Sequence, residues 1–136
     1  ITFGNNGGGI KLDPTVYKNS AGGIIILDGQ FIGGNKNNFS STGPGSYLLI
    51  LSTKTSSSWS DTPAITVGNN MTGSGAAFYA NNGIVDIPNG GSISEITGRG
   101  IETGNNSVIT TSSGVVNVYF ASGPPAGWKV TSWQEY

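Results

Sequence analysis

The chain has 136 residues, enough for one domain with a real core, and only 10% of them are charged, for a net charge of −1. Its six Lys and Arg residues are scattered from Lys11 to Lys129, which excludes the basic footprint expected for binding nucleic acid or an anionic membrane surface. Cysteine and histidine are both absent, so disulfides, thiolate sites, most zinc sites and Ser-His-Asp or Cys-His catalysis are excluded as well.

The 35% of residues that are hydrophobic fall into short Ile/Val/Leu clusters between Gly, Asn, Ser and Thr, which suits a folded, turn-rich β protein better than disorder. No window keeps apolar residues at helical spacing for three turns, and Gly or Pro interrupts nearly every ten residues. From the N-terminus, a "GNN" corner at 4–6 comes first. The apolar runs "GGIIIL" (22–27) and "YLLIL" (47–51) are far shorter than the ~20 residues of a membrane-spanning helix. "GGNKNN" (33–38), with Asp28, offers oxygen ligands for calcium. Lys36 intrudes, however, and no calcium-loop spacing exists, so an Asn-rich turn is the better reading.

"SSTGPGSY" (40–47) reads as a long turn entering the strand "YLLILST" (47–53). "STKTSSSWSDTPA" (52–64) reads as a protruding loop that carries Trp59. Strands are then expected at "AITV" (64–67), "AAFYA" (76–80), "GIVDI" (83–87), "SVITT" (107–111), "VVNVYF" (115–120) and "GWKVTSW" (127–133). Phe78 and Tyr79 are consecutive, so one must face in and the other out. Residues 122–136, with two Trp, a Tyr and a Pro pair, read as a C-terminal cap on a single domain spanning 1–136.

"GNN" returns at 68–70 and 104–106, and "NNG" occurs at 81–83; Gly and Asn tolerate positive φ, so each marks a corner. Ile84, Ile93, Ile101, Val108 and Val115 recur at intervals of seven to nine. Together these predict an all-β chain, a β-helix-like solenoid of short stacked strands, with those residues as its inner column. A β-sandwich or jelly roll is the alternative, since it also uses short strands and frequent turns.

Asp86, Glu95, Arg99 and Glu102 form the one constellation with catalytic residue types. β-Helix enzymes that cleave acidic polysaccharides use such groups on adjacent coils, and a glycosidase pair would need carboxyls ~5–9.5 Å apart. Solvated outward residues are the better reading, so no enzyme, cofactor or metal is expected. Trp59, among small polar residues, is a stacking platform for a sugar or an anchor for a partner, unless it folds back over a coil edge. Tyr79 is the second candidate contact. "GPG" and "GRG" lack the following helix that a phosphate loop requires.

"GSYLLILST", "PAITVGNN", "AAFYANNGIVDIPNGGSISEITGRGIETGNNSVIT" and "FASGPPAGWKVTSWQEY" together resemble the C-terminal β domain of PilX-like bacterial pilus-assembly proteins, over roughly residues 45–136. The resemblance implies an extracellular or cell-surface domain without enzymatic activity, and surface-filament or pilin-like subunits as partners. It carries over no binding residue. The start at Ile1, with no initiator Met or signal-like segment, is read as the edge of a fragment, and the resemblance implies a parent anchored by an N-terminal hydrophobic helix.

Overall fold

The computed structural model describes residues 1–16, 23–42 and 46–110. It is all-β, with no helix among the described residues, and its nine strands form one curled parallel sheet. In chain order these are β1 (Gly9–Lys11), β2 (Gly23–Leu27), β3 (Phe31–Ile32), β4 (Asn38–Ser40), β5 (Leu48–Ser52), β6 (Ile65–Thr66), β7 (Thr72–Ile87), β8 (Ser92–Thr103) and β9 (Val108–Ile109).

The pairings fall into three columns, all parallel. The first runs Gly9, Asn38, Thr72, Ser92, Val108 through β1, β4, β7, β8 and β9. The second sets Ile50 of β5 beside Phe78 of β7, which pairs in turn with Ile96 of β8. The third runs Phe31, Ile65, Val85, Ile101 through β3, β6, β7 and β8. A parallel neighbour cannot be reached by a tight hairpin, so the chain travels through the other columns before it returns.

The length of that return varies. It is 34 residues from Asn38 to Thr72 (72 − 38), 20 from Thr72 to Ser92 (92 − 72) and 16 from Ser92 to Val108 (108 − 92). The last two differ because the register between β7 and β8 slips twice, between Gly73 and Ala77 and between Ala80 and Ile84. At each slip β7 carries three residues where β8 carries one, as a bulge does. Gly75 lies in the first slip at φ 70°, and its N–H donates to Ser94 Oγ, the single opposing residue, at 2.9 Å.

One corner repeats on every return. Asn5–Asn6, Asn35–Lys36, Asn69–Asn70, Asn89–Gly90 and Asn105–Asn106 each place the second residue in the left-handed region, at φ 70°, 59°, 52°, 70° and 58°. The N–H groups of Asn6, Lys36, Asn70 and Gly90 donate to the carbonyls of Asn35, Asn69, Asn89 and Asn105 at 2.8–2.9 Å. The Oδ1 atoms of Asn5, Asn35 and Asn89 accept from the N–H groups of Asn35, Asn69 and Asn105. The corners at 34–36 and 88–90 belong to the same series as the three "GNN" triplets.

The interior is more aromatic than the Ile/Val periodicity suggested. Phe31, Phe39 and Phe78 are fully buried, and with Phe3 they form a cluster of ring contacts with centroids 5.1–6.4 Å apart. Each contributes about 1.5–3 kcal/mol through burial. Ile65, Val67, Met71, Val85, Ile87 and Ile93 complete the same core. Of the expected inner column, Ile93 lies in it, whereas Ile101 and Val108 are 41% and 50% exposed. By alternation Val108 falls on the outward side with its register partner Ser92, while Ile109, the rung-mate of Ile93, is itself 47% exposed. Ile84 is buried outside the central cluster, on the side opposite Val85. Val115, the strands expected at 115–120 and 127–133 and the cap at 122–136 lie outside the described residues.

The strands expected at 76–80 and 83–87 are parts of one 16-residue strand, β7. Phe78 and Tyr79 divide as their adjacency requires: Phe78 joins the core, and Tyr79 packs with Tyr47 against Leu49, Leu51 and Ala77 on the other face. On β5 and β7 the outer face of the second column is therefore apolar, and β8 continues it with Glu95 and Thr97.

Candidate functional site

Trp59 is the large aromatic side chain most open to solvent among the described residues, at 64% exposure. Its loop, 53–63, is braced rather than loose. Asp61 Oδ2 accepts from Ser57 N at 2.7 Å, Ser58 N at 2.9 Å and Ser57 Oγ at 3.3 Å, and Asp61 N donates to Ser58 O at 2.9 Å. The backbone N–H groups of Ser58 and Ser57 hold the Asp61 carboxyl below the usual carboxylate range. Lys54 Nζ spans the base of the loop to the carbonyls of Thr62 at 2.8 Å and Pro63 at 3.3 Å.

The buried Ser56 fastens this loop to the sheet. Its Oγ accepts from Ile84 N at 2.6 Å, and its N–H donates to Asn82 O at 3.1 Å. Gly83 permits the crossing, because a Cβ there would meet the Lys54 carbonyl at 2.7 Å. Ile84 and its rung-mate Gly100 then line a shallow hollow of about 130 Å³ with Ser56, Ser57, Trp59 and Arg99. A Cβ on Gly100 would lie 2.9, 3.3 and 3.4 Å from Cη2, Cζ2 and Cζ3 of Trp59. The far rim of the indole thus rests on the bare backbone of Gly100. Arg99 is exposed and, among the described residues, has no hydrogen-bond or ion-pair partner.

The expected constellation of Asp86, Glu95, Arg99 and Glu102 is split over three places. Asp86 and Glu102 are rung-mates on the outer face of the third column. Burial pushes the Asp86 carboxyl up, and the neighbouring Glu102 charge adds to this. Glu95 stands beside Ala77 in the second column, where burial raises its carboxyl. Arg99 lines the Trp59 hollow instead, and no carboxylate is among that hollow's described lining residues.

Asp28 Oδ1 accepts from Thr53 Oγ1 at 3.0 Å. Of the amides in 33–38, Asn35 belongs to the corner ladder, and Asn37 is buried with both ends used. Asn37 Oδ1 accepts from Gly7 and Gly8, and Nδ2 donates to the carbonyls of Gly4 and Gly33. Among the described residues no three acidic side chains gather as a metal centre would require, and no helix is long and apolar enough to cross a membrane.

Comparison with family models, with curated proteins and with solved structures finds no match for this chain.

A second hollow, of about 340 Å³, runs along Thr72, Gly73, Ser74, Ser92, Ile93, Ser94 and Thr110. Its described lining is hydroxyls, glycine and one isoleucine, with no charged side chain among them. Sequence reasoning singled out Trp59 but missed the juxtaposition with Arg99, because the two lie 40 positions apart (99 − 59) and share no local motif. The brace was readable in part: Asp61 follows three serines at the spacing of a side chain capping backbone N–H groups.

Proposed function

We propose that the chain is a β-helix-like solenoid serving as a non-enzymatic structural and adhesive domain of a bacterial surface protein, with pilin-like filament subunits as its partners. The observation that carries this reading is the five-rung parallel register from Gly9 to Val108, repeated at the Asn corner. A stack of that kind is stiff along one axis and leaves its loops free to make contacts. The resemblance of residues 45–136 to PilX-like domains supplies the surface setting. Fractionation of native cells tests it: the protein is expected in the sheared surface-filament fraction, cross-linked to filament subunits. Recovery only from the cytoplasm contradicts it.

A second reading is carbohydrate binding, favoured by one observation, the 64% exposure of Trp59 on a braced loop. A rigid aromatic platform in solvent suits a sugar ring, since holding it in place costs little additional entropy on binding.

A further inference from the structure

We infer that the Trp59 hollow recognises a carboxylated sugar, a hexuronic acid residue of an acidic glycan, with the ring on the indole and the carboxylate on Arg99. The inference rests on the carbohydrate-binding reading and names its ligand class.

Several features of the hollow select that ligand. The indole meets Gly100 along its far rim while the side chain keeps 64% of its surface, so apolar ring area remains open to a flat, partly apolar ligand. At about 130 Å³ the hollow is well below the ~300–1,000 Å³ that engulfs a small molecule. It can therefore grip one ring and leave the rest of a polymer in solvent. Arg99 supplies an unpaired guanidinium beside the platform, and its fork geometry matches a carboxylate in two parallel hydrogen bonds. No described lining residue is acidic, so none of them competes for Arg99 or repels an anion. The hydroxyl of Ser57 adds a neutral donor or acceptor of the kind that orients sugar hydroxyls. Preorganisation comes from Asp61 and Lys54, which set the loop before any ligand arrives.

The test is calorimetric titration with trimers of galacturonic, glucuronic and mannuronic acid and with their neutral hexose counterparts. At least one acidic trimer is expected to bind, about tenfold or more tightly than its neutral counterpart, with the preference weakening in added salt. Trp59→Ala is expected to abolish binding of both, and Arg99→Gln to reduce the acidic trimer to the level of the neutral one. Gly100→Ala, which pushes the indole rim without disturbing a left-handed backbone, is expected to weaken both while the melting temperature stays unchanged. Equal affinity for acidic and neutral trimers, lost in Trp59→Ala, would overturn the uronate assignment and leave the carbohydrate-binding reading standing. Absence of binding to every trimer would overturn both.

Discussion

Asp86 shows how a single side chain sets the pH response of this chain. Its carboxyl is half-buried on the outer face of the third column, and Glu102 sits one rung away, so its folded-state pKa is raised by burial first and by Glu102 second. A raised carboxylate pKa means that the folded state binds its proton more tightly than the unfolded chain does. The stability it contributes is fully present below the unfolded value of ~3.9 and is lost as pH rises through the folded pKa. Glu95 acts in the same direction. Asp61 and Asp13 act oppositely, since hydrogen bonds from Ser58 and Ser57, and from Thr15, lower theirs. Their contribution is present above the unfolded pKa and lost as pH falls through the folded one. Asp86→Asn, which removes the buried charge but keeps the shape, is therefore expected to raise the melting temperature at pH 7, with the gain vanishing near pH 3. Melting curves of both proteins across that range check this, and a lower melting temperature for the variant at pH 7 would contradict it.

Among the elements, the Asn corner is the one whose construction is most demanding. Successive turns approach so closely that a Cβ on Gly68 would collide with the carbonyl oxygen of Gly34, whereas a Cβ on Gly4 in the first corner meets nothing within 4 Å. Gly68→Ala is expected to cost at least about 3 kcal/mol, because the obstacle is backbone and cannot rotate away. Gly4→Ala is expected to stay within about 0.5 kcal/mol. Urea unfolding of the pair measures the difference, and equal midpoints would mean that the corners are not stacked as described. These corners also mark the limit of what the sequence discloses. Asn6, Asn70 and Asn106 advertise their left-handed backbone inside "GNN"; Lys36 adopts it outside that triplet, and the corner of Gly90 is Pro88-Asn89-Gly90, with proline where the others have glycine. The strands at 48–52, 65–66 and 108–109 were legible from β-branched clusters. The continuity of β7 was not, because Gly73, Gly75 and Gly83 read as breaks when they are corners inside one strand. Ile84, Ile101 and Val108 looked like one column because spacing alone ignores the alternation that turns Ile84 and Val108 away from the side of Ile101, and because return lengths of 34, 20 and 16 residues erase any fixed period.

On the scale of the whole molecule, the parallel register and the corner ladder carry the account together. Each return of the chain sets its strands parallel to strands already placed, and the pairings join all nine into one curled sheet. The aromatic cluster of Phe3, Phe31, Phe39 and Phe78 fills much of the core, and on β7 Phe78 stands between the smaller buried residues Ala76 and Ala80. Loops such as 53–63 leave the stack without interrupting it, which is how Trp59 reaches Arg99 on a later rung. That juxtaposition follows from the parallel pairing of β7 and β8, which sets Gly100 beside Ile84. The alternative of antiparallel hairpins would fold β8 back along β7 about the 88–91 turn, setting Thr72 near Ser107 and far from Ser92. The absence of native cysteine makes the choice directly measurable by paired cysteine substitutions and mild oxidation, read by mass spectrometry under denaturing conditions. Parallel rung-mates lie ~4.8 Å apart, within disulfide reach, while residues two rungs apart are beyond it. Thr72→Cys with Ser92→Cys is expected to close a disulfide, and Thr72→Cys with Ser107→Cys to remain reduced; closure of the second pair and not the first would contradict the stacked parallel fold.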